Sequence, residues 1–193
     1  MDAITRKVID NFAAINTIPR CSRREGEIAR WLSEWAAKRR YPAHRDGTGN
    51  LCIKVPATAG HDAAPTLILQ GHMDMVCEKT PDSRHSFDHD PIRLVANGDW
   101  ISADRTTLGA DNGIALALAL TVADDPEIVR PPLELLFTVD EESGLIGAKN
   151  IDPDLIEGRI LLNIDSEEEG VFTIGCAGGK ETHIHLGVRR AGV

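Results

Sequence analysis

The sequence predicts an α/β domain built on a mainly parallel mixed sheet flanked by helices. Three observations lead there. Short apolar runs of strand length occur at Thr66–Gln70, Leu133–Val139 and Arg159–Ile164. Segments of helical period or helical composition lie between and before them, at Asp2–Ile15, at about Arg23–Lys38 and after Asp111. Each apolar run is followed at once by His or acidic residues, placing polar chemistry at strand ends, where open α/β sheets bind ligands.

The elements follow in order. Ile4, Val8, Ile9, Phe12 and Ile15 recur at helical spacing, and the helix should stop before Pro19. Ser22 and Glu25 have the spacing of a capping box, so Ser22 is expected to cap a second helix whose apolar face holds Ile28, Trp31, Leu32 and Trp35. Ala43–Asp46 and Leu51–Val55 form a predicted hairpin across Asp46-Gly47-Thr48-Gly49-Asn50. Residues Pro56–Pro65 make a surface loop before the strand that ends in Gly71-His72-Met73-Asp74.

The polar stretch after Val76 contains His85 and His89. It carries Pro81 and many turn residues, so it is read as a solvated loop rather than a helix aligning the two imidazoles. A small hairpin is expected from Ile92–Ala96 and Trp100–Ser102. IALALALTVAD, apolar on nearly all sides, suits a buried helix with Asp111 at its mouth, where an aspartate could serve simply as N-cap. Further strands are expected at Val171–Ile174 and, with one wet face, at Lys180–Val188.

The chain has 193 residues, 42% of them hydrophobic, which is enough for one domain with a core. Its net charge of −9 leaves no excess of Lys and Arg to neutralise phosphates, so no nucleic-acid partner is expected. There is no basic amphipathic stretch for a membrane surface and no bilayer-spanning segment. The start lacks the apolar core of a signal peptide, and Cys21, Cys52, Cys77 and Cys176 form no Cys-x-x-Cys pair. A cytoplasmic protein with free thiols is the expectation.

The chemistry lies in the polar strand ends. His72 and Asp74, two apart on an extended chain, point the same way, and an imidazole that binds a metal commonly gives its other N–H to a carboxylate. Asp111, the adjacent pair Glu141 and Glu142, and Asp165 add carboxylates at the other mouths. Taken singly, each has a plainer explanation as a cap or a solvated acidic loop. Taken together, imidazole and carboxylates without thiolate suit zinc, with manganese or cobalt also possible. One His and three carboxylates exceed what one catalytic zinc needs, so two divalent ions about 3.5 Å apart, sharing a carboxylate, are expected. Of Glu141 and Glu142, one could ligate while the other moves a proton.

QGHMDMV, LGADNGI, TVDEESGLIGA and NIDSEEEG, in this order, closely resemble the di-zinc exopeptidase family of aminoacylases, glutamate carboxypeptidases and dipeptidases, and within it the aminoacyl-histidine dipeptidase branch. The resemblance runs from the N-terminus to about Gly179. It implies a metallopeptidase catalytic portion over residues 1–179 and, over 180–193, the start of a lid and dimerisation domain otherwise absent. It implies His72 and Asp165 as ligands of one zinc, Asp111 as the bridge, Glu142 on the second zinc, Glu141 as general base, and Asp74 as the carboxylate that orients His72. A cis peptide between Asp111 and Asn112 is implied as well.

The activity implied is hydrolysis of dipeptides, Xaa-His or broader, by metal-bound hydroxide. A deacylase of N-acyl amino acids is the alternative within the fold, and a catalytically incomplete metal-binding fragment the alternative outside it. Full-length members draw a late histidine ligand and an oxyanion-stabilising histidine from later segments, and often dimerise. Nothing assigns His183 or His185 to those roles. With those segments missing, an apolar sheet face or edge is expected to be exposed.

Overall fold

The computed structural model describes residues 1–166, 168, 170–175, 178 and 182–187. Helix α1 (Ala3–Ile15) is capped by Asp2, whose carboxylate accepts the Thr5 N–H at 2.8 Å. Helix α2 (Gly26–Arg39) ends in Lys38 and Arg39, which complement the carbonyl end of the helix dipole. Strands β1 (Ala43–Arg45) and β2 (Leu51–Val55) form the expected antiparallel hairpin. One carboxylate oxygen of Asp46 accepts the N–H groups of Thr48, Gly49 and Asn50, which closes the turn.

Strand β3 (Leu67–His72) is followed by a separate ribbon of β4 (Leu94–Asn97) and β5 (Trp100–Ala103). Then come helix α3 (Ala110–Asp124), strand β6 (Leu133–Thr138), the short helix α4 (Ile146–Lys149) and strand β7 (Ile160–Asn163). The main sheet is mixed, in the order β1-β2-β6-β3-β7. Its β6, β3 and β7 run parallel to one another, and β2 and β1 add antiparallel.

Side-chain alternation divides the core. Leu51, Ile53, Val55, Leu69, Leu133, Leu135 and Phe137 face the three long helices, meeting Phe12, Ile15, Ile28, Leu32, Leu116 and Leu120. Cys52, Ile68 and Leu136 face the other way, onto Leu155, Ile151 and Ile156. Helix α3 is buried along most of its length, as its all-round apolar sequence requires. Glu134 lies 2% exposed on the second face; its carboxylate accepts the N–H groups of Glu157 and Gly158, which satisfies the buried charge.

Several expectations are corrected. Ser22 and Glu25 form no capping box: Glu25 is itself the N-cap residue of α2, without a side-chain cap bond, and both side chains reach across the molecule to the β3 and β6 ends. Asp111 is not the N-cap of α3: Gly109 is, and Asp111 sits one step inside with extended φ/ψ. Strand β7 forms where expected but is not buried. It is the sheet edge, and Ile160, Leu161 and Leu162 are 49, 47 and 41% exposed.

Val171–Ile174 carries no strand, and neither does 182–187; Lys180, Glu181 and Val188 lie outside the described residues. Cys21 and Cys77 are not free thiols but a disulfide, while Cys52 is free and buried. Among the described residues no helix is long and apolar enough to cross a membrane.

Candidate metal centre

The parallel trio β6-β3-β7 brings three chain exits to one edge of the sheet. In its register His72 stands opposite Thr138, and Gln70 opposite Asn163. Asp165, two residues past Asn163, therefore comes level with His72, and Glu141 follows three residues past Thr138. Helix α3, packed on β3, delivers Asp111 to the same place. Three segments far apart in sequence thus converge because parallel strands share a carboxyl end.

The convergence is close. His72 Nε2 lies 2.9 Å from Asp111 Oδ1, 3.8 Å from Asp165 Oδ1 and 3.9 Å from Glu141 Oε2. One donor atom each from His72, Asp111 and Asp165 falls within 4.8 Å of the others, and the same holds for His72, Glu141 and Glu142. The four carboxylates singled out in sequence as ligands or base are brought together around the fifth residue, the imidazole of His72. His85 and His89 join no such cluster among the described residues; His89 Nε2 instead meets Ser86 Oγ at 3.1 Å. His183 and His185 join none either.

Behind the imidazole the structure is closed. His72 Nδ1 lies 3.1 Å from the backbone oxygen and 3.2 Å from a carboxylate oxygen of Asp74, which is completely buried. Asp74 does more than orient His72. Its carboxylate also accepts the Glu141 N–H (3.0 Å), the Glu142 N–H (3.2 Å) and the Ser22 hydroxyl (2.8 Å). One carboxylate thereby sets the imidazole and the backbone of both glutamates. Glu25 adds a second brace: its carboxylate accepts the N–H of Asp140 (2.9 Å) just before that pair.

The peptide Asp111–Asn112 is cis, as the resemblance implies. The Asn112 side chain was not foreseen as part of the site. It accepts the His72 N–H (3.2 Å) and donates to Ile164 O (2.8 Å) and Asp165 Oδ1 (2.9 Å), so it joins β3, α3 and the β7 exit. Gly71 leaves the room it needs: a Cβ there would land on Asn112 Oδ1.

The electrostatics of the cluster favour positive charge. Burial works against a charged His72, but its bond to Asp74 and the charges of Asp74 and Asp165 outweigh this and push it up to about 9. Burial would raise Asp74, yet the His72 bond and the N–H and hydroxyl donors hold it at about 2. Burial and the neighbouring carboxylates raise Glu141 and Glu142, with His72 opposing. Crowded carboxylates around a neutralisable imidazole are the donor set that hard and borderline divalent ions accept. An open cavity of about 390 Å³ adjoins them, lined by Asp111, Asn112, Ile114, Ile164 and Asp165 among others.

Fold and site together define an α/β domain with an imidazole–carboxylate centre at the carboxyl ends of parallel strands. No family model matches the chain. It is 44% identical over 179 residues to the cytosol non-specific dipeptidase of Escherichia coli (strain K12), an alignment spanning 92% of this chain and 37% of that protein. The aminoacylhistidine dipeptidase of Vibrio alginolyticus superposes with a TM-score of 0.83 at 41% identity, over 88% of this chain and 35% of that one. The aminopeptidase PepT of Bacillus cereus gives 0.71 at 26%, over 84% and 44%. The chain is thus a homologue of dipeptidases and related peptidases, as its four motifs imply, and spans little more than a third of the length of the two dipeptidases.

Proposed function

We propose that this chain carries the metal-holding centre of a dipeptidase that hydrolyses small peptides, Xaa-His or broader. The observation that carries the reading is the convergence of Asp111, Glu141, Glu142 and Asp165 on the Nε2 face of a buried His72. His72 and Asp165 would hold one divalent ion, Glu142 a second, and Asp111 would bridge them. Zinc suits this donor set first, and manganese or cobalt fit the same atoms. Such ions, when bound, activate water and polarise the carbonyl it attacks.

The chain's own residues do the rest. Asp74 fixes the Nδ1 side of His72, so Nε2 is turned toward the carboxylates of Asp111, Asp165 and Glu141 and would be the ligand atom once its proton is displaced. Glu141, raised by burial and its acidic neighbours, is suited to take the water's proton and pass it to the leaving amine. Asp74 also holds the Glu141 and Glu142 backbone, which keeps base and ligand in fixed relation. The adjoining cavity has the size of a small-ligand site. A cytoplasmic, dimeric enzyme is in keeping with this reading.

The test is metal content of the purified protein after dialysis, with Ala-His and β-Ala-His hydrolysis measured on the same sample. Two tightly held ions and chelator-sensitive turnover would mean that these residues form a working centre, and one weakly held ion without turnover would mean that the centre needs a further ligand and an oxyanion stabiliser. A dialysed chain that takes up no divalent ion would overturn the reading.

A further inference from the structure

Arg20 lies in the turn between α1 and α2 and is 1% exposed, the first among the largest fully buried side chains. Its guanidinium hydrogen bonds go to backbone carbonyls rather than to a carboxylate. Nη1 donates to Met73 O (3.2 Å) and Asp74 O (3.1 Å), and Nη2 donates to Gly109 O. Its own carbonyl accepts the Met75 N–H at 3.1 Å. Nε is buried without a hydrogen-bond partner. Burying a cation and leaving one of its donors unmet is costly, so the placement asks for a reason.

The glycines of LGADNG supply one. A Cβ on Gly113 would stand 2.6 Å from Arg20 Nη2, and a Cβ on Gly109 would collide with the same nitrogen and stand 2.7 Å from Met75 Sδ. The two positions flanking Asp111 are thus cleared for this guanidinium. Met73 and Asp74 directly follow His72, and Gly109 precedes Asp111 by two residues. The planar fork of Arg20 spans the two segments whose side chains meet at His72 Nε2 and Asp111 Oδ1.

We propose that Arg20 is a positioning residue of the metal centre: by holding the carbonyls of Met73, Asp74 and Gly109 on one rigid guanidinium, it sets the gap between His72 and Asp111. It acts through these segments and touches neither the ion nor the substrate. The inference concerns the site of the proposed function and rests on that reading for one of its two readouts.

The experiment compares the wild type with Arg20→Met, Arg20→Lys and Gly113→Ala. Folding is checked by circular dichroism and thermal melting. Zinc affinity is measured by competition with a chromophoric chelator, and the His72 ring nitrogens are followed by 15N NMR in the metal-free chain. In folded Arg20→Met, affinity should fall roughly 10- to 100-fold, the usual effect of losing a group that orients a ligand. Arg20→Lys, a point charge that cannot span three carbonyls, should recover only part of it. Gly113→Ala, which keeps every charge and crowds the guanidinium, should weaken affinity in the same direction. The His72 ring signals should move in each variant, while those of the exposed His44 and His61 stay in place.

A folded Arg20→Met with affinity within about twofold of wild type and unmoved His72 signals would overturn the proposal. Should Arg20→Met fail to fold, Arg20→Lys and Gly113→Ala decide by the same readouts. Should the wild type take up no metal, the functional reading fails, and the ring signals alone decide Arg20: displaced, they uphold it; unmoved, they overturn it.

Discussion

The two nitrogens of His72 face different worlds. On the Nδ1 side, Asp74 is fully buried and its carboxylate collects one hydroxyl and two N–H groups besides the imidazole. On the Nε2 side, the Asp111 side chain is 60% exposed and the Asp165 side chain 28%. One half of the centre is built to stay where it is, and the other is left open to an ion and a substrate. Orientation is supplied where water is absent, and reactivity where water can arrive.

Substitutions on the two sides should therefore fail differently. The largest effect is expected on the open side. In a complete, metal-loaded enzyme, Glu141→Gln should lower dipeptide turnover by roughly 10²- to 10⁴-fold, the range of a lost general base, while metal content stays unchanged. Turnover rates and metal analysis on the same preparation check this, and full activity would sink the assignment of Glu141.

On the closed side, Asp74→Asn should lower metal affinity about 10- to 100-fold and weaken folding as well. Asp74 is held at about 2, below its ordinary 3.8. Its contribution is therefore present above about pH 4 and is lost as pH falls through 2, and it amounts to roughly 2 kcal/mol. Denaturant melts of the metal-free chain between about pH 5 and 2 should show an acid limb that is shallower in the Asn variant, the remainder coming from other lowered carboxylates such as Asp46 and Asp124.

The comparison also has a proton signature. His72, raised to about 9, carries a proton in the metal-free chain at neutral pH. Metal uptake below about pH 9 should release it, and above that should not. Calorimetry in buffers of different ionisation enthalpy measures this, and identical heats at pH 7 would contradict it. The same raised value means that its stabilising effect is present below about 6.5 and is lost as pH rises through 9. The smallest effect is expected for Ser22→Ala, which removes one of several bonds to Asp74 and should cost about 1 kcal/mol in a melt.

The site's candidate ligands were legible because His72, Glu141, Glu142 and Asp165 stand just past apolar runs and Asp111 just before one, and such borders are visible in a single sequence. Its braces were not. Ser22 and Glu25 have a spacing that suits a local cap, and nothing in the sequence distinguishes that cap from the tertiary bonds they make to Asp74 and Asp140. Arg20 and Asn112 act through backbone atoms far along the chain, a relation that residue type alone does not reveal. The glycines at 71, 109 and 113 were a signal of close approach that could have pointed to both. The pairing of Cys21 with Cys77 spans 56 residues, and spacing could not indicate it. Strand β7 looked buried because apolar residues predict a strand, not what covers it.

That edge strand has a kinetic consequence. Among the described residues strand β7 pairs with β3 alone, whereas β6 is paired on both sides and buried throughout. Its amides should exchange with solvent water faster than those of β6, because a strand held on one side opens without the remainder unfolding. Asp165 lies at the end of that strand. Each opening of β7 would move Asp165 while His72 stays fixed, so the lifetime of an ion held in the proposed centre would follow the opening of this strand.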